Sequence, residues 1–360
     1  MENFNNVYKG KTVLVTGHTG FKGSWLSVWL TSLGANVVGY ALNPYSPKGN
    51  YYASHLKKHL FADERGDLRN FDTLEAVVEK YKPEIIFHLG AQALVRTAYV
   101  DPKYTYETNI LGSVNVMEVC RKFDFIKTVV MITSDKCYEN IEQIWGYKET
   151  DRMGGYDPYS ASKGAASLVI SSYRSSYFNI NDYAKHGKAV AEVRAGNVVG
   201  GGDWSDNRLV PDCIKAIEEG RDIEIRSPNA TRPWEHVLEP LVGYLRVGQK
   251  LIEEPVKYAT EFNFGPPLAS NKTVWEVVSK LVKYYGEGVV IDKSAGVFVH
   301  ENQLLNLDVT KAYVMLDWQA RLTLDETIKF TVDWYKEALQ SADMFDFCLK
   351  QIDDFCKRGS

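Results

Sequence analysis

The chain has 360 residues, 45% apolar and 24% charged, with 42 Lys and Arg against 46 Asp and Glu for a net charge of −4. This composition excludes a disordered chain and a phosphate-neutralising basic surface, so nucleic acid is not an expected partner. At about 100–200 residues per domain, the length fits two lobes or one large domain with an appendage.

The opening stretch Met1-Glu2-Asn3-Phe4-Asn5-Asn6 is polar and has no basic segment leading into an apolar one, so no secretory signal is expected. No run approaches about 18 uninterrupted apolar residues, so a membrane span is not expected either. Thr12–Thr16 is a short β-branched run ending at Gly17. A helix carrying Trp25, Leu26, Val28, Trp29, Leu30 and Leu33 follows and stops at Gly34. Asn36–Ala41 reads as the next strand, Leu74–Tyr81 as a helix ended before Pro83, and Glu84–Leu89 as a strand. Thr105–Phe123 carries helical periodicity, and Thr128–Thr133 is a continuous apolar strand. Apolar strands alternating with helices predict an α/β fold with a Rossmann-type, doubly wound parallel sheet buried on both faces. Beyond Val199 the texture changes. Gly200-Gly201-Gly202 and the scattered prolines 211, 228, 233, 240, 266 and 267 predict a smaller mixed α/β lobe interleaved with the first. Cys120, Cys137, Cys213, Cys348 and Cys356 form no C-x-x-C pair, which fits reduced thiols in a cytoplasm.

Three constellations carry chemistry. Gly17-His18-Thr19-Gly20-Phe21-Lys22-Gly23 lies directly after the first strand and opens the first helix. Glycines there let the backbone approach a pyrophosphate while the helix N-terminus offers N–H donors; the bland alternative is a tight turn alone. Past the second strand, Tyr40-Ala41-Leu42-Asn43 has neither the acid that selects NAD nor the arginine that accommodates NADP; NAD is the expectation. Tyr159 and Lys163 stand at i and i+4 of one helix face, where an ammonium favours phenolate and makes the tyrosine a base. That spacing alone is more often a solvated surface. Its company is Thr133-Ser134-Asp135-Lys136 at the C-terminal end of a strand, where open α/β sheets place ligand chemistry, though a cap or turn cluster would read the same way. His55 and His59 also stand at i and i+4, but no third ligand accompanies them and no metal is expected.

Together these motifs resemble the extended short-chain dehydrogenase/reductase superfamily in its nucleotide-sugar dehydratase branch. Ser24-Trp25, Cys137-Tyr138, Gly154–Tyr159 and Arg232–Pro240 look, more narrowly, like the CDP-glucose 4,6-dehydratase family, over about residues 10–334. The resemblance implies conversion of CDP-D-glucose to CDP-4-keto-6-deoxyglucose and water through transient NADH, for deoxysugars of O-antigen lipopolysaccharide. It implies that Gly17, Thr19, Gly20, Phe21, Lys22 and Gly23 hold the NAD phosphates, Asp67 and Leu68 the adenine, and His88, Gly90 and Ala91 the ribose side. Asn109 would lie near the active site, with Tyr159 and Lys163 also on the cofactor. Arg194, Asn197, Arg208, Leu209, Arg232 and His236 fall where the family binds the nucleotide sugar, although His236 reads as more structural than catalytic. Asn263–Pro266 resembles a loop near the base. Tyr159 would take the C4 hydroxyl proton, with Lys163 lowering its pKa and Ser134 bonding the hydroxyl. Asp135 would be the acid at C6. Related dehydratases have Asp-Glu where this chain has Asp135-Lys136, so Lys136 becomes the candidate C5 base or else only an ion-pair partner of Asp135 or Glu139. The resemblance further implies an NAD-binding domain of residues 1–198 with about 234–265, a sugar lobe of 199–233 and 266–360, and a cytoplasmic homodimer or homotetramer. A dehydratase or 4-epimerase of another nucleotide sugar, or a silent NAD-binding regulator, are the competing readings.

Overall fold

The computed structural model describes residues 2–267, 270–294 and 305–359. Six strands, β1 (Thr12–Thr16), β2 (Asn36–Ala41), β3 (Ala62–Arg65), β4 (Ile85–His88), β5 (Thr128–Ile132) and β6 (Ala189–Ala195), lie parallel with helices between them. The chain then leaves the sheet through β7 (Asn197–Val199), β8 (Ile223–Ile225) and β9 (Thr231–His236), and returns as β10 (Glu261–Phe264). The sheet order is β3-β2-β1-β4-β5-β6-β10, reversing direction between β1 and β4. β11 (Asn271–Thr273) joins β9 and β7 in a three-stranded sheet, and β12 (Val290–Asp292) pairs with β8.

Successive strand residues face opposite sides of a sheet, and the core divides accordingly. Val13 and Val15 pack with Trp25, Trp29 and Val130 on one side. Leu14 packs with Val38, Leu74, Met117 and Met131 on the other. β5 is buried along its whole length, which is why it reads as an unbroken apolar run.

The expected helices are present with adjusted ends. The one expected from Leu74 begins at Phe71, because the Asn70 side chain accepts from the Thr73 amide at 3.1 Å and caps it earlier. The segment expected as one helix from Thr105 is Pro102–Tyr106, a π-turn over Glu107–Leu111, and Gly112–Lys122. Single π-turns inside helices recur at functional sites, and no hydrophobic spacing announces one.

In the smaller lobe, the helices Val274–Tyr285 and Leu324–Ala338 each begin with a capping box, Thr273/Glu276 and Thr323/Glu326. The final helix, Phe345–Cys356, covers the first, with Phe355 edge-on to Trp29 at 6.2 Å. The last residues, silent in sequence, therefore roof the helix that the glycine turn opens. All five cysteines are free. Among the described residues no helix is long and apolar enough to cross a membrane, and no acidic or His/Cys cluster could hold a metal ion.

Candidate active site

The three glycines of the first turn serve different needs. Gly17 has φ +76°, and a Cβ on it would lie 2.8 Å from the Gly90 backbone at the end of β4. Gly20 is the extended N-cap of the helix Phe21–Ser32 and gives it no side-chain cap, so its first amides remain open to a ligand. A Cβ on Gly23 would lie 2.1 Å from the Gly17 carbonyl oxygen. Turn, cradle and helix packing thus fit a dinucleotide pyrophosphate. Below the turn, His18 is fully buried and bonds Asp63 through Nε2 at 2.7 Å. Asp63 also accepts from Tyr51 at 2.9 Å and from Arg65 at 2.7 Å. Gly39 leaves room for the imidazole, since a Cβ there would lie 2.3 Å from it. This anchor joins residues 45 positions apart and has no signature in sequence.

Thr19 donates to the Leu42 carbonyl at 3.0 Å across the cleft mouth. Asp67 lies beside the turn in a bond with Arg69 at 2.7 Å, and the Leu68 side chain stands so close to Gly90 that a Cβ there would clash at 2.4 Å. Gly90 and Ala91 are half-buried at the end of β4. His88 differs from its expected role on the cofactor. It is buried, with Nδ1 2.8 Å from Thr16 Oγ1 and Nε2 3.4 Å from Ser113 Oγ, and burial with Lys163 nearby pushes its pKa down to about 3. It is a neutral strut. Asn109 is held within the protein beside the Tyr159 helix. Its Oδ1 accepts from the Gln92 amide at 2.8 Å, and its Nδ2 donates to the Gln92 carbonyl at 3.0 Å and to Ser162 at 2.8 Å. Both amide protons are used inside the protein. The π-turn brings it to that position between the β4 loop and the Tyr159 helix.

At the end of β5, Ser134 caps a short turn over Asp135–Cys137. Its Oγ donates to Asp135 Oδ1 at 2.8 Å and accepts from the Lys136 amide at 3.3 Å. Tyr159 opens the helix Pro158–Ser176, whose N-cap Asp157 accepts from the Ser160 amide at 3.0 Å. Burial pushes the phenol up to about 12, Ser134 and Arg208 opposing and Asp135 reinforcing. Lys163 is itself lowered to about 8, by burial and then by Lys22. Lys136 is half-buried and pairs with neither acid near it in sequence. Asp135 is taken by Ser134, and Glu139 by Arg152 at 3.1 Å.

Two acids beside these groups, Asp203 and Glu235, were missed in sequence. Lys22, in the glycine turn, faces Glu235 of β9 together with Asp135, Asp203 and Arg208, and burial brings its pKa down to about 8. Both carboxylate oxygens of Glu235 are buried without a hydrogen-bond partner, and burial raises its pKa well above the ordinary value. An acid inside the apolar run Trp234–Leu238 was the available signal.

The expected sugar ligands separate into two groups. Asn197 at the start of β7, Arg208, which pairs with Asp203 at 3.2 Å, Leu209, and Arg232 on β9 are all half-buried around the cleft. Arg194 and His236 are not available there. Arg194 is buried on β6, bonding Glu192 at 2.7 Å, Tyr138 at 2.7 Å and the Glu149 carbonyl at 3.3 Å. His236 is 0% exposed, its Nδ1 accepts from the Leu238 amide at 3.3 Å, and Trp25 and Phe330 pack edge-on to its ring. Asn263 is buried too, donating to the Tyr147 carbonyl at 2.9 Å.

A doubly wound sheet, a glycine turn at its switch point and a Ser–Tyr–Lys set beside it define an extended short-chain dehydrogenase/reductase. The model of the GDP-mannose 4,6 dehydratase family matches residues 14–331, and the chain belongs to that family. It is 46% identical over 350 residues to the CDP-glucose 4,6-dehydratase of Salmonella typhimurium, covering 97% of each chain. It is 25% identical over 91% of its length to the UDP-glucuronate 4-epimerase of Thermodesulfobacterium geofontis, 97% of which is covered. Among solved structures, dTDP-glucose 4,6-dehydratase of Bacillus anthracis in complex with NAD matches with a TM-score of 0.73 at 20% identity, over 91% of this chain and 97% of that one. At that identity the likeness speaks for the fold alone.

Proposed function

We propose that this protein is a CDP-D-glucose 4,6-dehydratase that uses NAD and forms CDP-4-keto-6-deoxy-D-glucose and water. The observation that carries the reading is the Ser134–Asp135 bond with Tyr159 and Lys163 buried nearby, in a chain 46% identical to a relative of that name. An epimerase needs no acid for water loss, so a buried aspartate bonded to Ser134 favours dehydration over epimerisation.

Residues 17–23 with Asp67, Leu68, Gly90 and Ala91 are the groups suited to hold NAD, which when bound supplies the hydride acceptor at C4 and the hydride donor at C6. Tyr159 takes the C4 hydroxyl proton, and Ser134 orients that hydroxyl. Once C4 is a ketone, the C5 proton is acidic and Lys136 accepts it. Only its neutral amine can accept a proton, and the side chain is not tied to Asp135 or Glu139, a pairing that would hold it as the ammonium. Asp135 protonates the departing C6 hydroxyl. Arg208 and Arg232 suit the diphosphate, because a guanidinium fork binds phosphate oxygens in pairs. Asn197 and Leu209 line the sugar side. Residues 1–198 with about 234–265 serve NAD, and 199–233 with 266–360 serve the nucleotide sugar. The composition and free cysteines favour a cytoplasmic enzyme. A homodimer or homotetramer is the assembly proposed, and deoxysugars for O-antigen lipopolysaccharide are the product's destination.

The test is incubation of the purified protein with CDP-glucose. The sugar should lose one water by mass while the steady-state absorbance of reduced nicotinamide stays flat. Stoichiometric release of NADH would identify an ordinary dehydrogenase. Lys136→Ala should form enzyme-bound NADH and incorporate no solvent deuterium at C5. Undiminished exchange would remove Lys136 from the mechanism.

A further inference from the structure

The groups that act at C4 lie on two elements. Ser134 and Asp135 follow β5, and Tyr159 and Lys163 belong to the helix Pro158–Ser176 packed against the Ser134 turn. Hydride transfer needs its reacting atoms held at about 3–3.5 Å, so the spacing and register of turn and helix both matter. Gly164 sets the spacing, since a Cβ there would lie 3.1 Å from the Cys137 carbonyl oxygen. Close packing without a directional bond leaves the turn able to slide along the helix. The register is fixed from beneath. Glu192 on β6 stands opposite Met131 of β5, so its side chain shares a sheet face with Thr133, two residues further on. Its Oε1 accepts from the hydroxyl of Thr133, next to Ser134, and from that of Ser167, one helical turn after Lys163. Arg194 holds the carboxylate still, with Nε 3.0 Å from Oε1 and Nη2 2.7 Å from Oε2.

Glu192, Thr133 and Ser167 are 1%, 8% and 2% exposed, on the side of the sheet where Met131, Ile170 and Val190 make the core. Replacing a buried ion pair by well-packed apolar residues is often neutral or stabilising, so stability does not account for a carboxylate here. What an apolar residue at 192 could not do is accept hydrogen bonds from two elements at once. We propose that Glu192 is a positioning residue for the reaction: its carboxylate clamps the strand end that carries Ser134 to the helix that carries Tyr159 and Lys163, and so sets the alignment for hydride transfer from C4. This rests on the dehydratase reading. Glu192 does not touch the sugar. It acts on Ser134 through Thr133 and the peptide bond between them, and on Lys163 through Ser167 and one turn of helix. Its charge also favours the ammonium form of Lys163.

The test removes the clamp one arm at a time. Thr133→Val keeps the shape of its side chain, and Ser167→Ala loses a single oxygen. The NAD-loaded protein is mixed by stopped flow with CDP-6-deoxy-D-glucose, which can be oxidised at C4 but has no C6 hydroxyl to lose, and reduced nicotinamide is followed by absorbance. Each variant should form it with a rate constant roughly 10–100-fold below the wild type, while the affinity for the analogue is unchanged. Loss of folded protein would lower the amplitude of that signal and leave its rate constant alone. Thr133→Ser, which keeps the hydroxyl and lacks the methyl, should restore the rate constant. The double variant Thr133→Val/Ser167→Ala should be slowed by less than the product of the two single effects, because either arm works only while the other holds. The arms are separate, so misfolding of one variant leaves the other decisive. A folded Thr133→Val or Ser167→Ala protein with the wild-type rate constant, or a Thr133→Ser protein as slow as Thr133→Val, overturns the clamp alone. Absence of reduced nicotinamide in the wild type overturns the dehydratase reading and the clamp with it.

Discussion

Arg194 offers the sharpest separation between a ligand and a strut. Its guanidinium bonds Glu192 through Nε at 3.0 Å and Nη2 at 2.7 Å, with the two side chains 3% and 1% exposed. Burial alone would raise the Glu192 carboxyl. Arg194, with the hydroxyls of Ser167 and Thr133, instead holds it below the ordinary value. Arg194→Met leaves that carboxylate buried without its counter-charge and also removes the bond to Tyr138. Breaking one side of a buried pair costs about 3–5 kcal/mol. The urea midpoint should fall accordingly, while calorimetric affinity for CDP in the folded fraction stays within about twofold. Removing both charges in Glu192→Leu/Arg194→Met should cost less than the two single changes added together, because no lone buried charge remains. A folded Arg194→Met protein of wild-type stability that binds CDP more than about tenfold worse would return this arginine to the diphosphate and refute the reasoning.

Tyr159→Phe keeps the buried ring and should unfold close to the wild type, yet turnover at saturation should drop roughly 10²–10⁴-fold. Gly23→Ala places a methyl 2.1 Å from the Gly17 carbonyl oxygen, so the turn must move. With overpacking costing about 1–3 kcal/mol, NAD affinity by equilibrium binding should weaken roughly 5–150-fold. Glu239 is raised by burial to about 7 from an unfolded value of 4.5, although the Arg321 and Leu322 amides bond it. Between those values the native state holds a proton that the unfolded state has lost. Its contribution is therefore complete below about pH 4.5 and is lost as pH rises to about 7, on the order of 3 kcal/mol in all. Urea midpoints should fall more from pH 5 to pH 8 in the wild type than in Glu239→Gln; parallel falls would exclude Glu239 as the source.

β1 and β2 are readable to the residue because a strand buried on both faces must be an apolar run, with Gly17 ending the first and Gly34 preceding the second. The Tyr159 helix and the Ser134 turn were legible from local spacing, since both motifs lie within a few residues. What stayed hidden depends on distance in sequence. The bond of His18 to Asp63 spans 45 positions, and that of Tyr138 to Asn263 spans 125. Arg194 was misplaced for a subtler reason. Glu192 and Arg194 share one face of β6, so alternation could have paired them, but arginine in a dehydratase-like segment suggested phosphate instead. The π-turn that carries Asn109 stayed hidden because it has no hydrophobic period of its own.

The late return of β10 to the sheet matters during synthesis. Until Glu261–Phe264 has been made, the outer edge of β6 is an unpaired ladder on a strand whose residues are all buried in the finished molecule. Roughly 65 residues separate the two strands, which at about 5–20 residues per second leaves that edge open for several seconds. Such an edge can pair with a neighbouring nascent chain. Arg174, bonded to Glu261 and to the Ala259 carbonyl, waits on the finished helix to receive the strand. A fragment cut after β6 would look like a complete nucleotide domain by its order of strands and helices. It would nonetheless carry a permanent open edge, and association through that edge would be its natural end.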